Sequence, residues 1–371
     1  MSGTTSSTVP APQPGPPLEQ MLRGDPLARW LARARITPSL FGLLVFVYAL
    51  IHTVALPAAY GHLYTRVNVL GALEDWPYLV IMAVMMPLLA AYYLWQPRAI
   101  EAVYDGIARR AGQNARAAAL AIDLVKPFGW PAWAWGALAV AVVQVFSFVS
   151  DLRQITVPSW QTANSIMIAS AQPLRFLAFY IIVFILVRQI LTLIGLNRFF
   201  AGFTLEIAPL HPDRAGGLRI LGDYVLSGAI LLGILGLNFG MTLLRGQTNP
   251  EFLTTEFYLE LVYYLLAIPV VFFLPLWTVH TRMRAAKERL LAEVAEQFDQ
   301  EYRGLLNGLR QNTLSAADVG RMEAVQKMYQ IAEAAPVWPF DLGILSKFGA
   351  AVLLPILAPV GVDLLAGWLI R

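Results

Sequence analysis

The sequence predicts an all-α fold, a polytopic transmembrane helix bundle of about seven spans, and three observations predict it. First, 57% of the 371 residues are hydrophobic and only 14% are charged, a composition outside that of soluble domains. Second, apolar stretches near twenty residues recur along the chain; a helix rising about 1.5 Å per residue crosses the roughly 30 Å hydrocarbon core in that length. Third, Lys and Arg concentrate in alternate loops, the asymmetry that orients membrane helices.

Taken in chain order, residues 1–20 are rich in Ser, Thr and Pro and lack a basic segment followed by an apolar one, so they read as a disordered cytosolic tail. The bundle occupies 21–280. Apolar runs fall at about 40–60, 78–96, 132–150, 176–196, 225–244 and 257–280, with a seventh at 348–370 inside the final segment 341–371. Trp76, Trp95, Trp130, Trp133, Trp135, Trp160, Trp277 and Trp368 stand near the ends of these runs, where indoles favour the headgroup layer. The N-terminus and even loops hold 21 Lys and Arg against 5 in the odd loops and C-terminus, which predicts an N-terminus inside and a C-terminus outside.

Two cytosolic elements are expected. Residues 97–127 extend the second span as a helical loop, with Ile100, Val103, Ile107, Leu120, Ile122 and Val125 on one apolar side. Residues 281–340 read as a helical hairpin. Leu291, Val294, Phe298, Tyr302, Leu305 and Leu309 recur at three- and four-residue spacing, a coiled-coil-like seam continuous with the sixth span. Asn312, Thr313 and Ser315 mark the turn, Ser315 with Asp318 opens a second helix through a capping box, and Pro336 closes it. From 281 to 347 the 9 basic and 9 acidic residues cancel, which favours packing against other helices, within or between subunits, over an electrostatic clamp on lipid.

Several chemistries are excluded. The chain has no cysteine, hence no disulfide, thiolate metal site or cysteine nucleophile. Its four histidines include no i, i+4 pair, and no nucleotide-binding, zinc-protease or serine-hydrolase motif is present. No enzymatic activity, metal or cofactor is therefore expected. The net charge of +3 follows from the loop arginines that topology requires, so nucleic acid is not an expected partner and the lipid bilayer is.

Polar residues inside the spans are the candidate functional residues, because burying them in lipid is costly. They are His52, Gln144, Arg188, Asn238 and Asp363, on spans one, three, four, five and seven. Arg188 and Asp363 are expected either to pair with each other, or to place Asp363 as a carboxylate ring attracting cations in an oligomer. Pro355, Pro359, Gly361 and Gly367 bend the last span and permit close approach. In the fourth loop, His211-Pro212-Asp213-Arg214-Ala215-Gly216-Gly217-Leu218 is the most distinctive polar string. His211, Asp213, Arg214, Gly216 and Gly217 supply a capping carboxylate, a guanidinium fork and bare backbone, suited to a hinge or to an anion or cytosolic ligand.

That string, with Val337-Trp338-Pro339-Phe340-Asp341, resembles uncharacterised multi-pass bacterial membrane proteins, and the resemblance implies a bacterial inner membrane. Seven spans, long cytosolic helices before the last one and an end just after it are similar in topology to insect olfactory and gustatory receptor channels. The resemblance implies that the last span lines a shared pore and that the preceding helices form an oligomeric anchor. The expected function is accordingly a homo-oligomeric ion channel or channel-like receptor. The alternatives are a secondary transporter, with Arg188 as substrate counter-ion and Asp363 as coupling carboxylate, and a membrane scaffold or sensor binding a cytosolic partner at 281–340.

Overall fold

The computed structural model describes residues 17–66, 69–111, 125–152, 159–202, 211, 213, 215, 218–248, 250, 253, 255–311, 315–340 and 342–369. Two short helices, α1 (Pro17–Arg23) and α2 (Pro26–Arg33), precede the bundle. They are followed by α3 (Pro38–Ala59), α4 (Trp76–Gly106), α5 (Ala132–Leu152), α6 (Ser165–Gly202) and α7 (Arg219–Thr248). The chain ends with α8 (Thr255–Arg310), α9 (Ala316–Glu333) and α10 (Leu342–Leu369).

Helix starts follow from local chemistry. Pro26 and Pro38 occupy first turns, where their missing N–H has no intrahelical partner to lose. Asp25 and Thr37 cap these two helices, accepting from the amides of Ala28 at 3.1 Å and Leu40 at 3.2 Å. Asn164 accepts from the amides of Ile166 and Met167, which starts α6 about eleven residues before its apolar run. Hydropathy marks the lipid-crossing part of that helix, not its beginning. Both α3 and α4 contain a π-helical turn, at Ile51–Ala55 and Ile81–Met85.

Every apolar run of the sequence lies on a helix. Among the described residues, five helices are long and apolar enough to cross a bilayer: Pro38–Ala59, Trp76–Gly106, Ser165–Phe200, Arg219–Gln247 and Phe257–Asn307. The runs at 132–150 and 348–370 lie on α5 and α10, whose described apolar stretches, Ala132–Ser147 and Gly343–Leu357, are shorter. The molecule is thus an all-α bundle built for a membrane.

Apolar helix faces gain little by meeting each other in lipid, so close backbone approach and polar contacts must hold such a bundle. Both are present. The most extensive contact joins α7 to α10, followed by α5 on α6 and α3 on α4. A Cβ placed on Gly233 would stand 2.4 Å from the Ala351 carbonyl oxygen, and one on Gly222 2.8 Å from that of Pro339. The last helix therefore lies where α7 has no side chain. Among the five long spans α7 is the most enclosed and α8 the least: Leu259, Tyr263, Leu266, Val270 and Phe273 of α8 face outward.

The 56 residues of α8 give a rod about 84 Å long at 1.5 Å per residue, which continues out of the apolar layer. There it pairs with α9, whose N-terminus carries the capping box of Ser315 and Asp318. Val294, Val325 and Ala332 close the base of this hairpin. Farther out the seam is open, with Phe298, Tyr302 and Leu309 39%, 45% and 53% exposed. At the base, Lys287 donates to the carbonyls of Glu333 and Ala335, capping the end of α9. His280 bonds the Val337 carbonyl at 2.8 Å and stacks on Trp338 at 3.9 Å. The connection into α10 is thereby strapped to α8.

Candidate functional site

Among the described residues the interior holds two polar clusters, at opposite ends of the bundle. The first is at the end covered by α1 and α2. Capping α2 places the Asp25 carboxylate at the bundle wall, where it meets the Arg188 guanidinium at 2.6 Å with both side chains buried. Tyr93 closes the arrangement: its hydroxyl donates to the same Asp25 oxygen at 2.5 Å, and its carbonyl accepts from Arg188 at 2.9 Å. The guanidinium also lies over the Tyr93 ring, 4.8 Å from its centroid. An arginine fork satisfied by a carboxylate and a carbonyl, with an aromatic face beside it, is an arrangement that a lysine could not reproduce.

One helical position beyond Arg188, Gln189 accepts from Tyr224 of α7 at 2.9 Å and from Gln96 of α4 at 3.3 Å. Gln96 also donates to the Ile185 carbonyl at 3.1 Å. Together with Asp25, these bonds tie α2, α4, α6 and α7 at one level. The Gln96 Oε1 and the hydroxyls of Tyr92 and Tyr104 are buried without a hydrogen-bond partner among the described residues.

The second cluster gathers the other ends of the same helices. Arg245, near the end of α7, makes two parallel bonds to Asp75 before α4, each 2.8 Å long, the bidentate geometry that makes such pairs strong. Trp160 and Gln161 donate to the same carboxylate at 3.4 and 3.3 Å. Burial pushes the Asp75 carboxyl up, and Arg245 beside it opposes that shift. Beneath lies His52, in the π turn of α3, bonded to Ser170 at 2.8 Å and to Tyr78 at 3.3 Å, with the Trp160 ring 5.3 Å away. A π turn offsets one residue from the helical register, and here it coincides with the buried placement of His52.

The residues expected to be functional are distributed as follows. His52 and Arg188 are in different clusters. Gln144 on α5 and Asn238 on α7 are half-buried, and no hydrogen bond joins either to a cluster among the described residues. Asp363 falls on α10, but its side chain is outside the described residues. The expected pairing of Arg188 with Asp363 is corrected: Arg188 is held by Asp25. Gln189 contacts α7 near Gly228, while α10 runs parallel to α7, with Ile344 beside Gly222 and Ala351 beside Gly233. Asp363, twelve residues beyond Ala351, is therefore displaced from the level of Gly228 by roughly 25 Å of helical rise.

In the fourth loop, Asp213 accepts from the amides of Ala215 at 3.0 Å and Arg219 at 3.3 Å, which anchors the entry to α7, and His211 lies 2.7 Å from it. Arg214, Gly216 and Gly217 are outside the described residues. Sequence reasoning missed Asp25, Asp75, Tyr93, Trp160 and Arg245. Gly24-Asp25-Pro26 and Asp75-Trp76-Pro77 do carry a helix-start signal, which marks a cap without marking the arginine it will meet. No family model, curated protein or solved structure matches the chain.

Proposed function

We propose that this integral membrane protein is a homo-oligomeric, channel-like protein in which copies meet through the α8–α9 hairpin and the outward face of α8, with the last helix nearest the shared axis. The observation that carries the reading is the unclosed seam. Phe298, Tyr302 and Leu309 stay exposed on the same rod whose membrane half is the least enclosed of the long spans. An extramembrane stripe of this kind is normally covered by another helix. The strap from His280 to Trp338 gives the hairpin a direct mechanical link to the last helix.

A secondary transporter that receives an acidic solute at Arg188 has less support, because that guanidinium already carries Asp25 and the Tyr93 carbonyl. The test is the mass of the detergent-solubilised protein. The reading expects a discrete oligomer for the natural sequence and its dissociation in Phe298→Glu/Tyr302→Glu. A monomer for both would refute it. Asp363→Asn should leave the oligomer intact and reduce cation preference; unchanged preference removes Asp363 from the conduction path.

A further inference from the structure

Helix α2 has two faces. Ala28 and Leu31 are buried against the bundle, whereas Arg29, Trp30 and Arg33 are exposed, Trp30 to 61%. Arg35, just past the helix, is exposed as well. Among the described residues none of these three arginines forms an ion pair, and the acid within this segment, Asp25, is committed to Arg188. The face is therefore cationic and uncompensated, with an indole set between guanidinium groups.

Arg35 adds an independent observation. The end of α2 is a Schellman turn: the Ile36 amide donates to the Leu31 carbonyl and the Arg35 amide to that of Ala32, both at 3.0 Å. Arg35 occupies its left-handed position, with φ of 56°, where glycine is the favoured residue and an L side chain is strained. A guanidinium thus stands where the backbone alone would select glycine. An observed strain of this sort is a pointer to use of the side chain.

The surroundings indicate what the face meets. Trp95 and Arg98 stand at the same end on α4 and are exposed. Gly24 presses against the Phe128 carbonyl, which sets exposed Trp130 beside α1. Indoles and arginines sharing one level at the end of an apolar bundle match the headgroup layer of a bilayer.

We propose that Arg29, Trp30, Arg33 and Arg35 form a docking face for anionic phospholipid headgroups. The phosphodiesters neutralise the three guanidinium groups, and Trp30 enters the boundary between headgroups and chains. Because α2 begins at Asp25, lipid held on its outer face also keeps that carboxylate seated on Arg188. Each arginine near an anionic surface contributes about 1 kcal/mol, which is roughly a fivefold preference, so three contribute on the order of a hundredfold.

The test uses the full chain in nanodiscs containing phosphatidylcholine and phosphatidylglycerol in equal amounts. After partial delipidation, native mass spectrometry reads the ratio of retained lipids. The natural sequence should retain phosphatidylglycerol preferentially, Arg29→Gln/Arg33→Gln/Arg35→Gln should fall to the bulk ratio, and Asp25→Asn should keep most of the preference while losing thermal stability. Arg35→Gly relieves the backbone, so it should fold at least as well and lose about fivefold in preference. An unchanged ratio in Arg35→Gly, or in a triple variant with the natural melting midpoint in phosphatidylcholine, would overturn the proposal. Displacement of the lipid by millimolar inorganic phosphate would overturn it too, since that result assigns the face to a free anion.

Discussion

Replacing Asp25 by Asn isolates the charge of the buried ion pair. Asparagine caps helices about as well as aspartate, so the start of α2 should survive. What is lost is the negative charge 2.6 Å from Arg188, leaving a buried guanidinium with the Tyr93 carbonyl as its remaining described hydrogen-bond partner. Removing one member of a buried pair costs about 3–5 kcal/mol because the other charge remains desolvated. Neutral contacts between membrane helices contribute nearer 0.6 kcal/mol on average, so the two cases are distinguishable. Asp25→Ala adds about 1 kcal/mol for the lost cap. The double variant Asp25→Ala/Arg188→Met removes both charges and should cost less than either single change, a coupling that a double-mutant cycle measures. The assay is equilibrium unfolding in mixed detergent micelles. A cost for Asp25→Asn below about 0.5 kcal/mol, the range of an ordinary surface change, would refute the argument that this pair clamps the N-terminal helices to the bundle.

Other predictions follow from single contacts. Gly233→Ala should destabilise by about 1–3 kcal/mol, because its Cβ meets backbone 2.4 Å away and neither helix can yield without repacking; Gly136→Ala, with no atom within 4 Å, should be neutral or slightly stabilising in the same unfolding assay. Arg245→Lys should destabilise the far cluster in that assay, since a lysine cannot reproduce the two parallel bonds to Asp75. The Asp318 carboxyl is held below the usual carboxylate range by its hydrogen bonds to Ser315, with Arg321 contributing. Its stabilising effect is therefore present above the unfolded-state pKa and lost as pH falls through the lower folded-state value. Amide exchange at the start of α9 should accelerate at acid pH, and Asp318→Asn should remove that dependence.

Membrane helices, the hairpin and its capping box were legible because each rests on local pattern: apolar length, three-four spacing, and Ser315 three residues before Asp318. The polar clusters were not, because each joins residues far apart in sequence. Arg188 stood out as a charge within an apolar run, yet its partner lies 163 residues away in a helix cap. Arg245 reads as an ordinary loop cation until Asp75 is brought to it across 170 residues. His52 was legible as a buried polar group, whereas the π turn that accompanies its meeting with Ser170 and Tyr78 has no composition signal. Asp213 shows the converse case: its capping chemistry is short-range, and it bonds the amides two and six residues on.

Ionic flux through the purified protein in liposomes tests the channel-like reading most directly, with subunit number measured on the same preparation. The account predicts passive, cation-preferring flux from a discrete oligomer, lost when Phe298→Glu/Tyr302→Glu separates the subunits. Solute-coupled uptake without passive current, or a silent monomer that retains its fold, would contradict it.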